Sequence, residues 1–400
     1  MALKSINPPT LVDLFCGAGG LSDGLAQAGF RPLLGIDFDP HAAATYAANH
    51  PKATVLCRDI ASVRAEDVIN ATDGRQIDLV AGGPSCQGYS THGKREEHDP
   101  RNFLFKHFVR IVGKIRPKFV LMENVQGLLA YRRGHFRELI RREFASVGYR
   151  TDARVLCAAD YGVPQLRRRV FFLGTRLEVG LKFPEPTHAD QLPETLPLGL
   201  LPYVTVEQAI GDLPLLRGDL DREVWSYARP PQSDFQQYAR TGADLQHVTL
   251  HQANGISDAA SQVVKHIREG HGIRSLPPDL LPERFKRMRT IKDGSLRHDC
   301  TTLYYRLHRA RPAYTITCFF RNVASGPFIH PCEDRSLSYR EAARLMSFRD
   351  SYTFLAPKLA AQIGNAVPPL LARALGIHIL SLLKRAQGAQ MRELATTAVH

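Results

Sequence analysis

The chain has 400 residues, 44% of them hydrophobic, and 52 Lys+Arg against 39 Asp+Glu give it a net charge of +13. That balance is ordinary for a folded globular protein and argues against disorder. No apolar run approaches the roughly 20 residues of a membrane span, and the N-terminus MALKSINPPTLVDLF has no apolar segment of the kind a secretory leader carries. The basic excess favours a polyanionic partner such as nucleic acid, although a solvated Arg-rich surface produces the same arithmetic.

The first 175 residues alternate short apolar runs with helical spacing. TLVDLF (10–15) reads as a buried strand, followed by a glycine-rich turn and a helix from about Ser22. PLLGIDF (32–38) reads as a second strand, with a helix over 40–49, and IDLVAGG (77–83) and KFVLMEN (118–124) as further strands. Residues 102–115 and 135–146 have helical spacing. This order predicts an α/β fold with a mostly parallel sheet and helices on both faces. From about 183 to 310 the chain is Pro-rich, then polar and basic, which reads as a smaller irregular domain. Pattern returns with RPAYTITCFF (311–320) as a strand, YREAARLMSF (339–348) as a helix and a long apolar helix over about 370–383. Seven cysteines at 16, 57, 86, 157, 300, 318 and 332 form no disulfide framework and no C-x2-C pair. A reducing cytoplasm and no metal site are therefore expected.

DLFCGAGG (13–20) runs from a strand into a glycine turn and then a helix. Small residues there let backbone amides approach a ligand. The turn could equally hold nothing, but Asp37 at the tip of the second strand suits a ribose diol. No Gly-Lys-Ser/Thr follows, and the spacing is not G-x-G-x-x-G. A ligand with an adenosine and no pyrophosphate, such as S-adenosylmethionine, fits better. GGPSCQGYS (82–90) places Cys86 on a tight loop at a strand end. A cysteine is by default a small buried hydrophobe, but these turn-forming and polar neighbours favour an exposed, reactive thiol. Glu123 in ENV ends the next strand, as either a capped structural acid or a proton donor. QLRRR (165–169) offers Arg167 and Arg169 as a solvated run or as anion and base contacts.

Together these segments resemble the DNA cytosine-5 methyltransferase family. DLFCGAGG is similar to its cofactor loop, GIDFDP to its ribose and adenine segment, and RDI (58–60) to the segment that meets the adenine amine. GGPSCQGYS resembles the nucleophile loop, ENV the cytosine-recognising acid and QLRRR the Gln-x-Arg-x-Arg motif. RPAYTIT with REAARLMSF and then QIGNAVPP (362–369) resemble the closing motifs. The order and spacing are family-like from Asp13 to Pro369. One departure is Ser85 directly before Cys86, where the family usually has Pro; Pro84 stands one position earlier. A proline would stiffen the loop by fixing φ.

The resemblance implies a Rossmann-like S-adenosylmethionine-dependent domain over 1–185, a target-recognition domain over 186–350 and a C-terminal segment, 351–400, returning to the first. It implies transfer of a methyl group to C5 of a flipped-out cytosine in a short word of double-stranded DNA, through a Cys86–C6 adduct. Glu123 would meet N3 and the N4 amine, Arg167 would hold O2 or support Cys86, and Arg169 would organise the DNA backbone or the catalytic loop. Residues 91–102 would form a lid. For the cofactor it implies backbone contacts at Phe15, Gly17 and Gly19, ribose at Asp37, adenine stacking on Phe38 and the adenine amine at Asp59. Pro84, Leu104, Asn365 and Val367 would complete that site. Arg284, Lys286, Arg287, Arg289 and Arg297 suit phosphate and guanine contacts. The expected setting is a cytoplasmic monomer, the methylase of a restriction-modification system, whose partner is a cognate endonuclease acting on the same site; no membrane is involved. Two alternatives stay open. A tRNA cytosine-5 methyltransferase shares the fold, although Cys318-Phe319-Phe320 lacks the Thr of that branch's Cys-Phe-Thr element. An inactive DNA-binding relative is kept open by Ser85 alone.

Overall fold

The computed structural model describes residues 7–84, 103–130, 134–190, 197–289 and 296–397. The chain forms two compact units, one over 1–157, 168–186 and 367–400, the other over 158–167 and 187–366. Helices Tyr339–Leu345 and Leu359–Asn365 both belong to the second unit, and the first unit resumes at Val367.

In the first unit, β1 (Thr10–Leu14), β2 (Arg31–Asp37), β3 (Thr54–Cys57), β4 (Leu79–Gly82), β5 (Phe119–Val125), β6 (Arg150–Cys157) and β7 (Arg168–Thr175) form one sheet. Its order is β3-β2-β1-β4-β5-β7-β6. The first five strands are parallel, and β7 runs antiparallel to both neighbours. The order reverses between β1 and β4, and right-handed crossovers on either side of that reversal send helices to opposite faces. α1 (Gly20–Ala28) and α2 (Pro40–Asn49) follow β1 and β2; α3 (Ala65–Ala71) and α4 (Leu104–Ile115) follow β3 and β4; α5 (His135–Ser146) precedes β6. The expected strands are present within a residue or two. β3, α3 and β6 carry no clear period in the sequence, and β7 was legible only as an extended QLRRR.

The core explains the arrangement. Val12, Leu14, Leu34, Ile36, Val80, Val120 and Met122 of the central strands pack with Phe105, Phe108 and Val112 of α4 and Phe136, Ile140 and Phe144 of α5. The C-terminal helix Pro369–Thr397 lies directly on α1. A Cβ on Gly24 would stand 2.1 Å from the Pro369 carbonyl oxygen, so that approach needs glycine. Among the described residues no single helix is long and apolar enough to cross a membrane.

Polar side chains are buried in this unit too, and Asp13 is one of them. Asp13 of β1 is fully buried, its Oδ2 accepts from the Ser22 hydroxyl at 2.6 Å, and Ser22 Oγ lies 3.0 Å from Tyr46 Oη. Asp13 Oδ1 has no partner among the described residues. Burial pushes its pKa up to about 7, with Ser22 opposing and Asp37 adding to the rise. A carboxyl raised in the folded state contributes stability below its unfolded pKa and loses it as pH rises towards 7. Thermal melts should therefore show the wild type losing stability relative to Asp13→Asn between about pH 4 and pH 7. A difference between the two proteins that stayed constant over that range would show that Asp13 is ionised when folded.

The second unit has little regular structure. Its strand pairings are two or three residues long, and its helices are seven residues or shorter. Backbone carbonyls that no ladder satisfies must find other donors, and buried arginines supply many of them. Arg306 donates to the carbonyls of Ile267 (2.8 Å), His330 (3.1 Å), Glu333 (3.0 Å) and Val264 (3.0 Å) and pairs with Asp334. Arg344 pairs with Asp212 and with Asp350 at 2.6 Å. Arg335 grips Glu341 with two bonds of 2.8 and 2.7 Å, which holds the Glu341 carboxyl far below its usual range despite full burial.

RPAYTITCFF is not the strand that its sequence suggests. Only Ala313–Tyr314 pair, in parallel with Gln165–Leu166. Beyond them the backbone is satisfied by side chains: the Ile316 N–H donates to Gln165 Oε1 (2.9 Å), and the Ile316 carbonyl accepts from Arg167 (2.8 Å). Arg167 is 1% exposed, and its Nη2 also donates to the carbonyls of Gly364 (3.1 Å) and Ala366 (3.0 Å). Arg167→Met would leave three carbonyls without this donor, and we expect a loss of about 3 kcal/mol or more in denaturant unfolding. Arg167→Lys should recover only part of that, because an ammonium cannot reproduce the planar fork.

Candidate functional site

The parallel strands of the first unit end together at one sheet edge, at the reversal point where open α/β sheets place their ligands. Past β1 the chain turns sharply: Phe15, Gly17 and Gly19 have φ of 68°, 51° and 95°. At Gly17 no heavy atom would lie within 4 Å of an added Cβ, so open space borders the turn on that side. Asp37 at the tip of β2 ties the turn down. Its Oδ2 accepts the Gly17 N–H (2.8 Å) and its Oδ1 the Asp39 N–H (2.9 Å). Burial raises the Asp37 pKa, and these N–H donors oppose the rise. Phe38 follows and is 74% exposed, an unusual position for a phenylalanine ring. Asp59, just past β3, is exposed, with one carboxylate oxygen on the Ala61 N–H at 2.9 Å.

On the other side of the reversal, β4 leads into Gly83 and buried Pro84, and β5 carries Glu123 and Asn124. Asn124, buried, donates from Nδ2 to the Pro84 carbonyl at 3.0 Å and so pins the start of the following loop. Arg169 enters from β7, whose register sets Val125 opposite Arg169. Its Nε lies 3.1 Å from Glu123 Oε1, with both side chains less than a fifth exposed. Burial pulls the Arg169 pKa down, and the Glu123 carboxylate counters that.

The structure thus gathers Phe15, Gly17, Gly19, Asp37, Phe38, Asp59, Pro84, Glu123 and Arg169 at one edge of the first unit. Half-buried Leu104 opens α4, and buried Val367 begins the C-terminal return. Asn365, exposed at the end of its helix, belongs to the second unit, as does Arg167. Cys86, Ser85 and the expected lid over 91–102 lie outside the described residues. Arg167 is a buried clasp on three carbonyls of its own unit, because burying a guanidinium demands acceptors at both Nη groups. Arg169 faces Glu123 directly.

Three residues of the site were not singled out from sequence. Asp13 lies under the turn, Asn124 pins Pro84, and Gly83 gives Glu123 its room. A Cβ on Gly83 would come within 3.0 Å of Glu123 Oε2. The only signal for Asn124 and Gly83 was adjacency to motif residues. Gly83→Ala should fold normally, since the clash is with the end of a movable side chain. Shifting the carboxylate should still lower turnover about tenfold. Unchanged kcat in Gly83→Ala would show that the Glu123 carboxylate tolerates displacement.

A family model for C-5 cytosine-specific DNA methylase matches residues 10–381. The Type II methyltransferase M1.HphI of Haemophilus parahaemolyticus is 35% identical over 378 residues, spanning 93% of this chain and 87% of that protein. The Type II methyltransferase M.DdeI of Desulfomicrobium norvegicum is 35% identical over 394 residues, spanning 92% and 88%. A solved structure described as a putative DNA modification methyltransferase encoded within an E. coli prophage superposes with a TM-score of 0.70 at 26% identity, covering 94% of this chain and 99% of that one. With the match running through every element of the sheet edge just described, the chain belongs to the C-5 cytosine-specific DNA methylase family.

Proposed function

We propose that this protein methylates C5 of a flipped-out cytosine in a short word of double-stranded DNA, using S-adenosylmethionine, as the methylase of a restriction-modification system. The observation that carries the reading is the Glu123–Arg169 pair at the end of β5, on the same sheet edge as the Asp37-tied glycine turn.

The residues present fit the cofactor. The open space beside Gly17 gives an adenosine-bearing ligand room against backbone, and Asp37 stands where a ribose diol would meet a carboxylate. Exposed Phe38 offers a ring face to adenine, and Asp59 an acceptor to its amine. Phe15, Gly19, Pro84, Leu104, Asn365 and Val367 complete the proposed contacts. When bound, S-adenosylmethionine supplies an electrophilic methyl group on a sulfonium.

The chain's own residues make the cytosine receptive. C5 of cytosine is a poor nucleophile. The Cys86 thiolate adds to C6, which turns the ring into an enamine-like species with an electron-rich C5. Negative charge then builds towards N3 and O2. Glu123 meets N3 and the N4 amine, which selects cytosine and stabilises that charge. Arg169 fixes the Glu123 carboxyl through Oε1, so its reach to the base is set before the base arrives. A base, water or a side chain, then takes the C5 proton, the C6–S bond breaks with its electron pair on sulfur, and the aromatic ring and the Cys86 thiolate are restored. Arg167 acts at a distance, as a positioning residue that binds the QLRRR, TIT and GNA segments together.

The test is transfer from labelled S-adenosylmethionine to unmethylated genomic DNA and, in parallel, to bulk tRNA, followed by bisulfite sequencing of the DNA. Label at C5 of cytosines sharing one word is the expected result. Label in tRNA alone would move the protein to the RNA branch, and label in neither with DNA still bound would make it an inactive binder. The cognate endonuclease, the monomeric state and the cytoplasmic location belong to this proposal too.

A further inference from the structure

The glycine turn after β1 is tied to a chain of buried polar side chains in the first unit. Asp13 of β1 accepts from the Ser22 hydroxyl of α1 at 2.6 Å, and Ser22 Oγ lies 3.0 Å from Tyr46 Oη of α2. Tyr46 is fully buried. Its ring lies against Gly35 of β2, where an added Cβ would stand 2.6 Å from it. The His50 ring packs beside it, with centroids 4.5 Å apart. His50 closes α2: its backbone N–H donates to the Tyr46 carbonyl at 2.9 Å, and its carbonyl accepts the Ala53 N–H at 2.9 Å. From that fixed position the His50 ring donates to the Gly19 carbonyl, while its Nε2 has no partner among the described residues. The same carbonyl accepts the Asp23 N–H at 2.8 Å, the first backbone bond of α1. Burial lowers the His50 pKa, with Asp23 and the Gly19 carbonyl opposing, so the ring is neutral near pH 7.

These contacts matter because the turn is costly to order. Phe15, Gly17 and Gly19 all have positive φ, and glycine loses more backbone freedom on ordering than any other residue. A turn left free would suffer that loss when a ligand binds, whereas one fixed in advance does not. Asp37 holds the turn at the Gly17 N–H, and the His50 ring holds it at the Gly19 carbonyl. The space beside Gly17 stays open. We propose that His50, backed by Tyr46 and Ser22, is a positioning residue for the cofactor: it fixes the Gly19 end of the turn in the shape that S-adenosylmethionine binds, and it acts through the backbone alone. The inference rests on the cofactor assignment in the reading above.

Calorimetric titration of the full chain with S-adenosylmethionine, without DNA, measures Kd, and steady-state methylation gives KM and kcat. His50→Phe keeps a ring against Tyr46 but has no N–H for Gly19. It is expected to bind S-adenosylmethionine about tenfold more weakly, as for the loss of one hydrogen bond. KM should rise by the same factor, with kcat at saturating cofactor unchanged. His50→Asn puts an amide N–H where the imidazole N–H stood and should recover most of the affinity. Tyr46→Phe lacks only the hydroxyl beside Ser22 and should weaken binding in the same direction by a smaller factor. Equal weakening in His50→Phe and His50→Asn would overturn the proposal, because the ring would then be a packing element only. A fall in kcat with Kd unchanged would overturn it too. A wild-type chain that binds no S-adenosylmethionine would overturn the cofactor reading itself. That outcome is distinct from wild-type affinity in all three variants, which would overturn the positioning role alone.

Discussion

Replacing Cys86 with alanine is expected to lower methyl transfer by about 10⁴-fold or more, while binding of DNA and of S-adenosylmethionine survives. The size follows from the chemistry, since without a nucleophile at C6 nothing makes C5 electron-rich. The other cysteines near the sheet edge are poor substitutes. Cys16 is buried, and burial together with Asp13 and Asp37 pushes its thiol pKa well up, so it holds its proton. Cys57 ends β3, with its thiol 3.9 Å from the Phe38 carbonyl. The measurement is covalent capture on DNA carrying 5-fluorocytosine at the target. Fluorine at C5 cannot leave as the proton does, so the wild-type chain should stay attached to the DNA under denaturing conditions. Cys86→Ala should not. Capture of the alanine variant would give the nucleophile's role to another residue.

Glu123→Gln is expected to reduce turnover by about 10²- to 10⁴-fold, the range for losing a positioned proton donor. The amide keeps the length of the side chain but has no acid proton for N3. The same change removes the carboxylate that Arg169 faces at 3.1 Å, in surroundings that already depress the guanidinium's pKa. A modest fall in thermal stability should therefore accompany the loss of activity. Arg169→Met separates the two effects. It leaves Glu123 able to hold a proton but no longer fixes its direction, so it should lower kcat less than Glu123→Gln does. Equal losses in the two variants would make the pair, rather than the acid alone, the functional unit.

The second unit shows where counting charges misleads. The basic excess pointed to a polyanion, yet Arg240, Arg306, Arg335, Arg340 and Arg344 are all buried. They hold an irregular backbone together, supplying hydrogen bonds that longer strands and helices would otherwise make. These arginines are committed to acids and carbonyls inside the unit, and no residue count could have separated them from the exposed ones.

Much of this protein was determined by the sequence alone. Strands ending at Leu14, Asp37, Gly82 and Val125 follow from short apolar runs bounded by turn formers, and α4 and α5 from helical spacing of their aromatic residues. The motif order pointed to the family, and Glu123 and Asp37 stood out because local patterns place them at strand ends. Tertiary structure decided the rest. It joined β6 and β7 to the sheet through pairings with no local period. It divided Arg167 from Arg169, two residues apart, by burying one among carbonyls and setting the other against Glu123. It raised the pKa of Asp13 and turned Phe319 outward while burying Phe320. The physical reason is common to all of these. Periodicity and turn chemistry are local and can be read along the chain, whereas desolvation and the choice of partner depend on residues that only folding brings near.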